Sequence, residues 1–300
     1  MDPDISIIIP SYETAETIGS CLKSLEAQEG SVAHEIIVVD SSPPPGIGES
    51  LVPHPQVHLL QKQERCPAGL ARNLGVEQAK GQLALFMDAD VILAKDGLIR
   101  LWMCFEEGHR VIGGALDMPA DSWNYLAWAE HCFSFHEYHS TRKAGPAVNA
   151  PSTVLACDVA LFRESSGFTN RSRCQDVELI DQMKNEGISV HFNPRLIGYR
   201  IQKQSWSSLV DKAVRYGESI ASLRFSRILL VGGRARIAVL PVMAAGKFAR
   251  IMVRNLVYHR GRGRLFTLLT APAVFLLICF WMQGLARGLL KLPEEDLERD

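Results

Sequence analysis

Strand and helix patterns alternate over the first ninety residues, and this alternation constrains the fold more than any other feature of the chain. Residues 5–9, 35–40 and 83–87 are short apolar runs, of which the first two are rich in β-branched residues. Runs that are apolar on both faces are typical of central parallel strands. Segments 14–25 and 68–79, which lie between them, have the apolar spacing of helices. The sequence therefore predicts an α/β fold with a doubly wound, mostly parallel sheet.

Acidic side chains stand where two of these runs end. Asp40 closes the second run, and Asp88 and Asp90 close the third with one alanine between them. In open α/β sheets ligands bind beyond the carboxyl ends of the strands. Carboxylates buried there are costly without a positive partner, and a divalent cation that bridges a diphosphate is the usual one. The acid pair is the best candidate for a functional site.

Further helices and strands are predicted for the middle of the chain, where they alternate less regularly. Residues 96–140 are rich in aromatic side chains and have a helical pattern, whereas 154–163 and 188–192 have the composition of short strands. Between these strands, residues 176–184 are predicted to form a helix that ends at a Glu-Gly pair.

A basic and apolar segment follows. Residues 219–293 contain 12 Lys and Arg and no Asp or Glu, and 265–286 is a run of 22 uncharged residues interrupted by Pro272. That run is long enough to cross a bilayer, whereas the basic residues mixed with apolar ones from 224 to 264 fit a helix lying on an anionic lipid surface. Both arrangements remain open. Without aromatic interleaving, a nucleic-acid partner is not expected.

Three regions are predicted from these patterns: an α/β domain over 1–218, a membrane-associated helical region over 219–293 and an acidic tail over 294–300. The seven cysteines are scattered and never spaced as Cys-x-x-Cys, which argues against a disulfide framework and favours a reducing compartment. The acidic N-terminus lacks the pattern of a secretory signal. We therefore expect the α/β domain on the cytoplasmic face of a membrane, held peripherally or by a single span.

Other residues complete a series of spaced matches. Pro10 and Tyr12 stand at the exit of the first strand, Asp40 at the end of the second, and the segments 71–75 (Ala-Arg-Asn-Leu-Gly) and 79–81 (Ala-Lys-Gly) precede the acid pair. Over roughly residues 5–200 this series resembles glycosyltransferase family 2, whose members have the nucleotide-sugar-binding GT-A fold. The resemblance implies an inverting, metal-dependent transferase.

The resemblance also implies roles for the donor-side residues. Pro10 and Tyr12 match the positions that pack against uracil, and Asp40 matches the carboxylate that accepts a hydrogen bond from the base. Arg72 matches an arginine near the nucleotide, where its planar fork suits a phosphate or the base carbonyl. A UDP-linked sugar is therefore the expected donor.

The metal and catalytic positions follow in the same way. Asp88 corresponds to a residue that contacts the ribose or the cation, and Asp90 to the direct ligand of Mg²⁺ or Mn²⁺, which would neutralise the leaving diphosphate. Residues 174–179 resemble the Glu-Asp-x-Asp-Leu stretch of the family, so that Asp176 is the expected general base and Glu178 lies on the acceptor side. The alternative for Asp176 and Glu178 is two helix N-terminal acids stabilised by the helix dipole.

The chain departs from the family pattern at several positions. Glu13 stands where many relatives have Asn, Ser41 where a second Asp is common, and Gln175 where Glu is usual. The processive signature Gln-x-x-Arg-Trp is absent from the sequence, which favours addition of a single sugar to a lipid-linked or cell-surface-glycan acceptor. Two alternatives remain: a nucleotidyltransferase, and a membrane-tethered protein that binds nucleotide sugars without turnover.

Overall fold

A mixed sheet forms the framework of the N-terminal part of the protein. The structure is a computed structural model that describes residues 2–170, 174–201, 205–221, 223 and 240–291. Within these residues the strands are β1 (Ile5–Ser11), β2 (His34–Asp40), β3 (Val57–Gln61), β4 (Leu83–Met87), β5 (Val91–Leu93), β6 (Val111–Asp117), β7 (Gly145–Pro146), β8 (Val154–Asp158) and β9 (Val190–Arg200). Their order in the sheet is β3-β2-β1-β4-β8-β6-β9-β5, and β7 pairs with β9.

The central strands are parallel, as the sequence predicts. β1 pairs in parallel with β2, where Ser11 lies opposite Asp40, and with β4, where Ile5 lies opposite Leu83. β8 runs antiparallel between β4 and β6, and β5 runs antiparallel to β9. Every residue of β4 is buried, as expected for a strand that is apolar on both faces. The predicted mostly parallel α/β fold is confirmed.

Six helices of the described chain belong with this sheet: α1 (Ile18–Glu26), α2 (Gly48–Leu51), α3 (Ala68–Gln78), α4 (Gly97–Glu106), α6 (Val159–Glu164) and α7 (Gln175–Asn185). One close approach fixes α3. A β-carbon on Gly75 would lie 2.3 Å from the Cγ2 atom of Ile8 in β1, so only glycine allows the helix to lie this near the strand. Arg72, one turn earlier, is thereby held beside the carboxyl end of the sheet.

Two of the predicted elements differ in the structure. The predicted strand 154–163 ends at Asp158, whose side chain accepts a hydrogen bond from the Leu161 amide at 3.1 Å and so begins α6. The predicted helical stretch 96–140 contains the strand β6, which was not predicted because Gly113 and Gly114 lower its strand propensity. A β-carbon on Gly114 would lie 2.5 Å from Cγ1 of Val154 in β8. The glycines are needed for strand contact, although they lower strand propensity.

The described chain divides into two units, the first formed by 2–120 and 138–201 and the second by 121–137 together with the described part of 205–291. This division differs from the predicted boundary at 218, because the aromatic helix at 125–134 packs with the C-terminal helices. The predicted acidic tail, 294–300, lies outside the described residues.

The second unit is helical and contains α5 (Tyr125–Ser134), α8 (Trp206–Ile220), α9 (Leu240–Tyr258) and α10 (Arg262–Lys291). Helix α10 packs against the other three. Contact with α8 is backbone to backbone, since a β-carbon on Gly284 would lie 1.9 Å from the Val214 carbonyl oxygen. Residues Arg262–Leu290 are long and apolar enough to cross a membrane. An 18-residue window within them has a mean hydropathy of 2.2, and half of that window is buried inside the protein.

Candidate active site

Asp88 is held by donors from two different elements. Its Oδ1 atom accepts a hydrogen bond from Nη2 of Arg72 at 2.7 Å, and its Oδ2 atom accepts one from the Thr153 hydroxyl at 3.0 Å. Arg72, on α3, is only 3% exposed, so the ion pair is largely shielded from water. The Cζ atom of Arg72 also lies 5.5 Å from the centre of the Phe168 ring. Charge-assisted contacts of this kind fix the carboxylate at the end of β4.

Asp90 has a guanidinium partner of its own. Nη2 of Arg200 donates to its Oδ2 atom at 2.9 Å, and the Asp90 carbonyl accepts from the amide of Ile201 at 2.9 Å. Arg200 reaches this corner because β9 runs antiparallel to β5 with Arg200 opposite Val91. The two residues are 110 positions apart. No local pattern in the sequence pointed to Arg200, since its place depends on strand register.

The acid pair has the donor chemistry of a hard divalent cation. Mg²⁺ and Mn²⁺ prefer carboxylate oxygens, and each oxygen that accepts from an arginine keeps a second lone pair for an ion. The local field is negative: burial raises the pKa of the neighbouring Cys21 thiol, and the charges of Asp90 and Asp88 raise it further. Asp88 and Asp90 therefore fit such an ion, which would share them with Arg72 and Arg200.

Asp40 is enclosed at the end of β2. The residue is fully buried; its Oδ1 atom accepts from the hydroxyls of Ser11 and Ser42, both at 2.7 Å, and its Oδ2 atom accepts from Nε2 of Gln61 at 3.1 Å. These three side chains satisfy a buried charge that would otherwise be costly. Oδ1 already accepts two hydroxyl hydrogen bonds, so the predicted contact with a nucleotide base would use the second lone pair of Oδ2, and the side chains that bury Asp40 would have to shift to admit the base.

The first-strand exit lies beside this carboxylate. Tyr12 follows β1 directly, and the Cζ atom of Arg65 lies 4.5 Å from the centre of its ring, a cation–π contact. Pro10 lies within β1 opposite Val39.

Glu13 has a φ of 55° and donates its amide to the Ser42 hydroxyl at 2.7 Å. Asn adopts this left-handed conformation more readily than Glu, so the departure at position 13 places a strained backbone beside the site.

Asp176 lies in the first turn of α7. Its Oδ2 atom accepts from the Ser152 amide at 3.2 Å, and its Oδ1 atom accepts from its neighbour Val177 at 2.9 Å. Burial raises the pKa of Asp176, while those two amides and the charge of Arg72 act in the opposite direction. Cys174, just before the helix, has a φ of 63°. A carboxylate with a raised pKa is a better proton acceptor than an ordinary aspartate.

One dipeptide connects the two carboxylates. The Ser152 amide donates to Asp176, and the hydroxyl of the next residue, Thr153, donates to Asp88. The charges of Asp88 and Arg72 both act on the pKa of Asp176, which indicates that the three groups are neighbours. The structure thus brings Arg72, Asp88 and Asp176 together from distant parts of the sequence. Ser152 and Thr153 were not among the residues expected from the sequence.

Glu178 is turned toward a different segment. Its Oε2 atom accepts a hydrogen bond from the hydroxyl of Thr169, in the loop after α6. That loop is tied to α3 by Asn73, whose side chain donates to the Phe168 carbonyl at 2.8 Å and accepts from the Phe168 amide at 2.9 Å. Gln175, where the family has Glu, is buried at 7% exposure. The predicted acceptor-side residue, Glu178, therefore lies on α7 and contacts a braced loop.

Comparison with known proteins identifies the family of the chain. The model of the family "Glycosyl transferase family 2" matches residues 6–166, more than half of the chain. TuaG of Bacillus subtilis, named as a teichuronic acid biosynthesis glycosyltransferase, is 32% identical over 224 residues, which span 71% of this chain and 85% of TuaG. The succinoglycan biosynthesis protein ExoO of Rhizobium meliloti is 32% identical over 33% of this chain and 29% of its own length. Several other curated relatives are likewise matched over less than half of their length.

Solved structures give the same answer for the fold. The mannosyltransferase PcManGT from Pyrobaculum calidifontis, in complex with GDP-Man and Mn²⁺, superposes with a TM-score of 0.62 over 96% of this chain and 88% of its own, at 15% identity. TarS 1-349 of S. aureus superposes with a TM-score of 0.51 at 16% identity. These structural similarities show the fold alone. The assignment to a family depends on the sequence matches. The chain belongs to glycosyltransferase family 2 and has the GT-A fold.

Proposed function

We propose that this glycosyltransferase is metal-dependent and inverting, and that it moves a sugar from a nucleotide sugar, UDP-linked, to a hydroxyl of a lipid-linked or cell-surface-glycan acceptor. The observation that carries the proposal is the shared support of Asp176 and Asp88 by Ser152 and Thr153. A proton acceptor and a carboxylate of the donor side are thereby held in one fixed relation. Displacement at an anomeric carbon requires such positioning of the two reacting sides.

Asp176 acts as the general base of this reaction. It removes the proton from the acceptor hydroxyl while the oxygen attacks the anomeric carbon, and the new carbon–oxygen bond forms as the bond to the phosphate oxygen breaks. The nucleoside diphosphate leaves with the electron pair, and the proton stays on Asp176. Attack from the face opposite to the leaving group inverts the anomeric configuration. Glu178, on α7 beside the braced loop, faces the acceptor.

The donor diphosphate lies against Asp88, Asp90 and Arg72. An Mg²⁺ or Mn²⁺ ion bound there supplies neutralisation of the charge that develops on the leaving group. Asp90 would be the direct ligand of this ion, and Asp88 would contact the ion or the ribose. Arg72, which is already fixed by Asp88, presents its remaining donors to a phosphate or to the base carbonyl.

The base of the nucleotide packs against Pro10 and Tyr12. The phenol ring of Tyr12 offers a face and a hydroxyl, and the Cζ atom of Arg65 lies over this ring. Asp40 accepts a hydrogen bond from the base on the second lone pair of its Oδ2 atom.

The relatives support the substrate classes. PcManGT is a mannosyltransferase in complex with GDP-Man and Mn²⁺, which favours a nucleotide sugar and a divalent ion for this chain as well. TuaG and ExoO are named for teichuronic acid and succinoglycan biosynthesis, which favours an acceptor from envelope polysaccharide synthesis.

The second unit holds the enzyme at the cytoplasmic face of the membrane. The outer side of α10 is an exposed apolar stripe, which includes Leu265, Leu268, Leu269, Phe275 and Leu276, each at least 47% exposed. The opposite side of α10 packs on α8, a helix that carries charged side chains and would have to enter the bilayer if α10 crossed it. Burying those charges in lipid is costly. Of the two arrangements left open by the sequence, we therefore favour a helix that lies in the interface.

Nucleotide release tests the reaction class. Purified full-length protein is incubated with extracted envelope lipids and a panel of UDP-, GDP- and dTDP-sugars, with Mn²⁺ or with a chelator. We expect release of UDP that depends on both the lipid extract and Mn²⁺. Unchanged release in chelator would contradict metal dependence.

The same assay separates the alternatives. Release of pyrophosphate from a nucleoside triphosphate would identify a nucleotidyltransferase, and bound nucleotide without turnover across the panel would identify a binding protein. Release of GDP or dTDP in place of UDP would retain the reaction class and correct the nucleotide.

A further inference from the structure

Three metal-ligating side chains meet at the edge of the sheet that lies away from the candidate active site. Cys104 belongs to the last turn of α4, His109 precedes β6, and His191 is the second residue of β9. One ligand atom from each lies within 4.8 Å of the other two. β6 has the direction of β4, because each runs antiparallel to β8, so the amino ends of β6 and β9 lie opposite to the strand ends that carry Asp88.

We propose that Cys104, His109 and His191 form a binding site for one Zn²⁺ ion that stabilises the fold and takes no part in transfer. Thiolate sulfur and imidazole nitrogen are the ligands that zinc prefers in proteins. Bonds of about 2.0–2.3 Å to a common ion would draw the three ligand atoms to within about 3.5 Å of one another. The ligand atoms would close by about an ångström, and the stacked rings of His109 and His191 would turn so that one nitrogen of each points at the ion.

Backbone geometry prepares two of the three ligands. Gly108 has a φ of 94°, which ends α4 and turns the chain back, and the His109 amide then donates to the Cys104 carbonyl at 3.4 Å. The spacing of Cys104 and His109 is thus set by a helix end that favours glycine. His191 is brought to the same place by the parallel pairing of β9 with β6, in which it lies opposite Ile112.

The three side chains are shielded from water to different degrees. Cys104 is 4% exposed, and His109 and His191 are partly buried. The rings of His109 and His191 stack with centroids 3.7 Å apart at 21°, so the two imidazole ligands are already in contact.

The fourth position would be taken by water, since zinc prefers four ligands in tetrahedral geometry. Glu107 acts electrostatically on both Cys104 and His191, and its negative charge favours a cation at this place. The three ligands lie away from the reacting groups, so the ion would act on the stability of the fold. The ion would join the end of α4 to the two strands that position Arg200.

Cobalt substitution tests this site independently of catalysis. The full-length protein is stripped with chelator and titrated with Co²⁺, whose thiolate charge-transfer absorption in the near ultraviolet reports a cysteine ligand and is silent for Asp88 and Asp90. We expect one equivalent of Co²⁺ with this absorption in the wild type and in the control Cys279→Ser, which removes an exposed thiol elsewhere. We expect at least a tenfold loss of the signal in Cys104→Ser.

A second variant and a second readout protect the test against misfolding. His109→Gln should retain the folded circular dichroism spectrum while weakening Co²⁺ binding at least tenfold, and added Zn²⁺ should raise the Tm of the wild type but not of His109→Gln. Absence of thiolate absorption in folded wild type at saturating Co²⁺ would overturn the proposal. Equal absorption in wild type and Cys104→Ser would do the same.

Discussion

Thr153 donates its hydroxyl to a carboxylate oxygen of Asp88 across 3.0 Å. Its neighbour Ser152 holds Asp176 through the backbone amide at 3.2 Å. Any shift of this dipeptide therefore moves the proposed base and the proposed donor-side carboxylate together. The proposed mechanism depends on this connection more than on any single ion pair.

Removing the Thr153 hydroxyl should weaken catalysis without unfolding the protein. Hydrogen bonds to charged groups contribute about 1.5–3 kcal/mol, so Thr153→Val, which keeps the shape of the side chain, should lower kcat/KM by roughly 10- to 100-fold. Thr153→Ser retains the hydroxyl and is the matched control, with an expected loss of less than about threefold. Steady-state nucleotide release measures both. Equal activity of the valine and wild-type enzymes would remove Thr153 from the mechanism.

The raised pKa of Asp176 predicts both a pH profile and a stability change. Because burial raises this pKa, the base loses activity on acidification at a pH above the ordinary aspartate range, and kcat/KM should fall there. The sign for stability follows from linkage. A group with a raised folded-state pKa stabilises the fold below its unfolded pKa, and that contribution is lost as the pH rises through the folded pKa.

Asp176→Asn should therefore be more stable than the wild type at neutral pH, with the difference shrinking as the pH falls through the raised folded-state pKa and vanishing below the ordinary aspartate pKa. Urea unfolding at several pH values gives the free energies of unfolding. A variant that is less stable than the wild type at neutral pH would show that the Asp176 carboxylate is favourably paired rather than held at a cost.

Arg200 should compete with the proposed active-site ion. Its guanidinium holds Asp90 at 2.9 Å, so Arg200→Gln removes a positive charge from the corner where the cation would bind. We expect Arg200→Gln to tighten Mn²⁺ binding in the absence of donor by about 3- to 10-fold, and Asp90→Asn to weaken it by at least as much. Calorimetric titration at moderate ionic strength measures the two constants. Unchanged affinity in Asp90→Asn would show that the ion binds elsewhere.

Membrane attachment should depend on the outer stripe of α10. Leu268 is 57% exposed and Phe275 is 50% exposed, and replacing both by glutamate places two charges in the apolar stripe. Flotation with anionic vesicles should recover the wild type with lipid and leave Leu268→Glu/Phe275→Glu at least tenfold depleted. The matched control is Val52→Glu, at an apolar position of the first unit that is 79% exposed. Co-flotation of the double variant would assign attachment to another surface.

Sequence patterns predict those parts of the fold that local composition determines. β1, β2 and β4 are continuous apolar runs, and each forms a strand where expected. β6 was missed because Gly113 and Gly114 lower its strand propensity, although close packing against neighbouring strands requires them. The end of β8 could have been predicted, because aspartate is a typical helix cap and Asp158 caps α6. The composition of residues 154–163 instead favoured a strand over the whole stretch.

The candidate site likewise contains residues that the sequence could predict and residues that it could not. Asp88, Asp90 and Asp176 were predicted from motifs, and in the structure Asp88 and Asp176 accept hydrogen bonds from two neighbouring residues, Thr153 and Ser152. Arg200 and Thr153 could not be found, because each reaches its partner through strand register or a loop position more than sixty residues away along the chain. Register of this kind leaves no periodic signal in the sequence.

The most direct measurement of the central claim compares Asp176→Asn with Asp181→Asn, an exposed aspartate on the same helix. Donor binding is measured by calorimetry in the presence of Mn²⁺, and transfer by release of the nucleoside diphosphate with lipid acceptor. The account predicts that Asp176→Asn binds the nucleotide sugar within about threefold of the wild type and loses at least a thousandfold in kcat, while Asp181→Asn matches the wild type in both. Near-normal turnover in Asp176→Asn would contradict it.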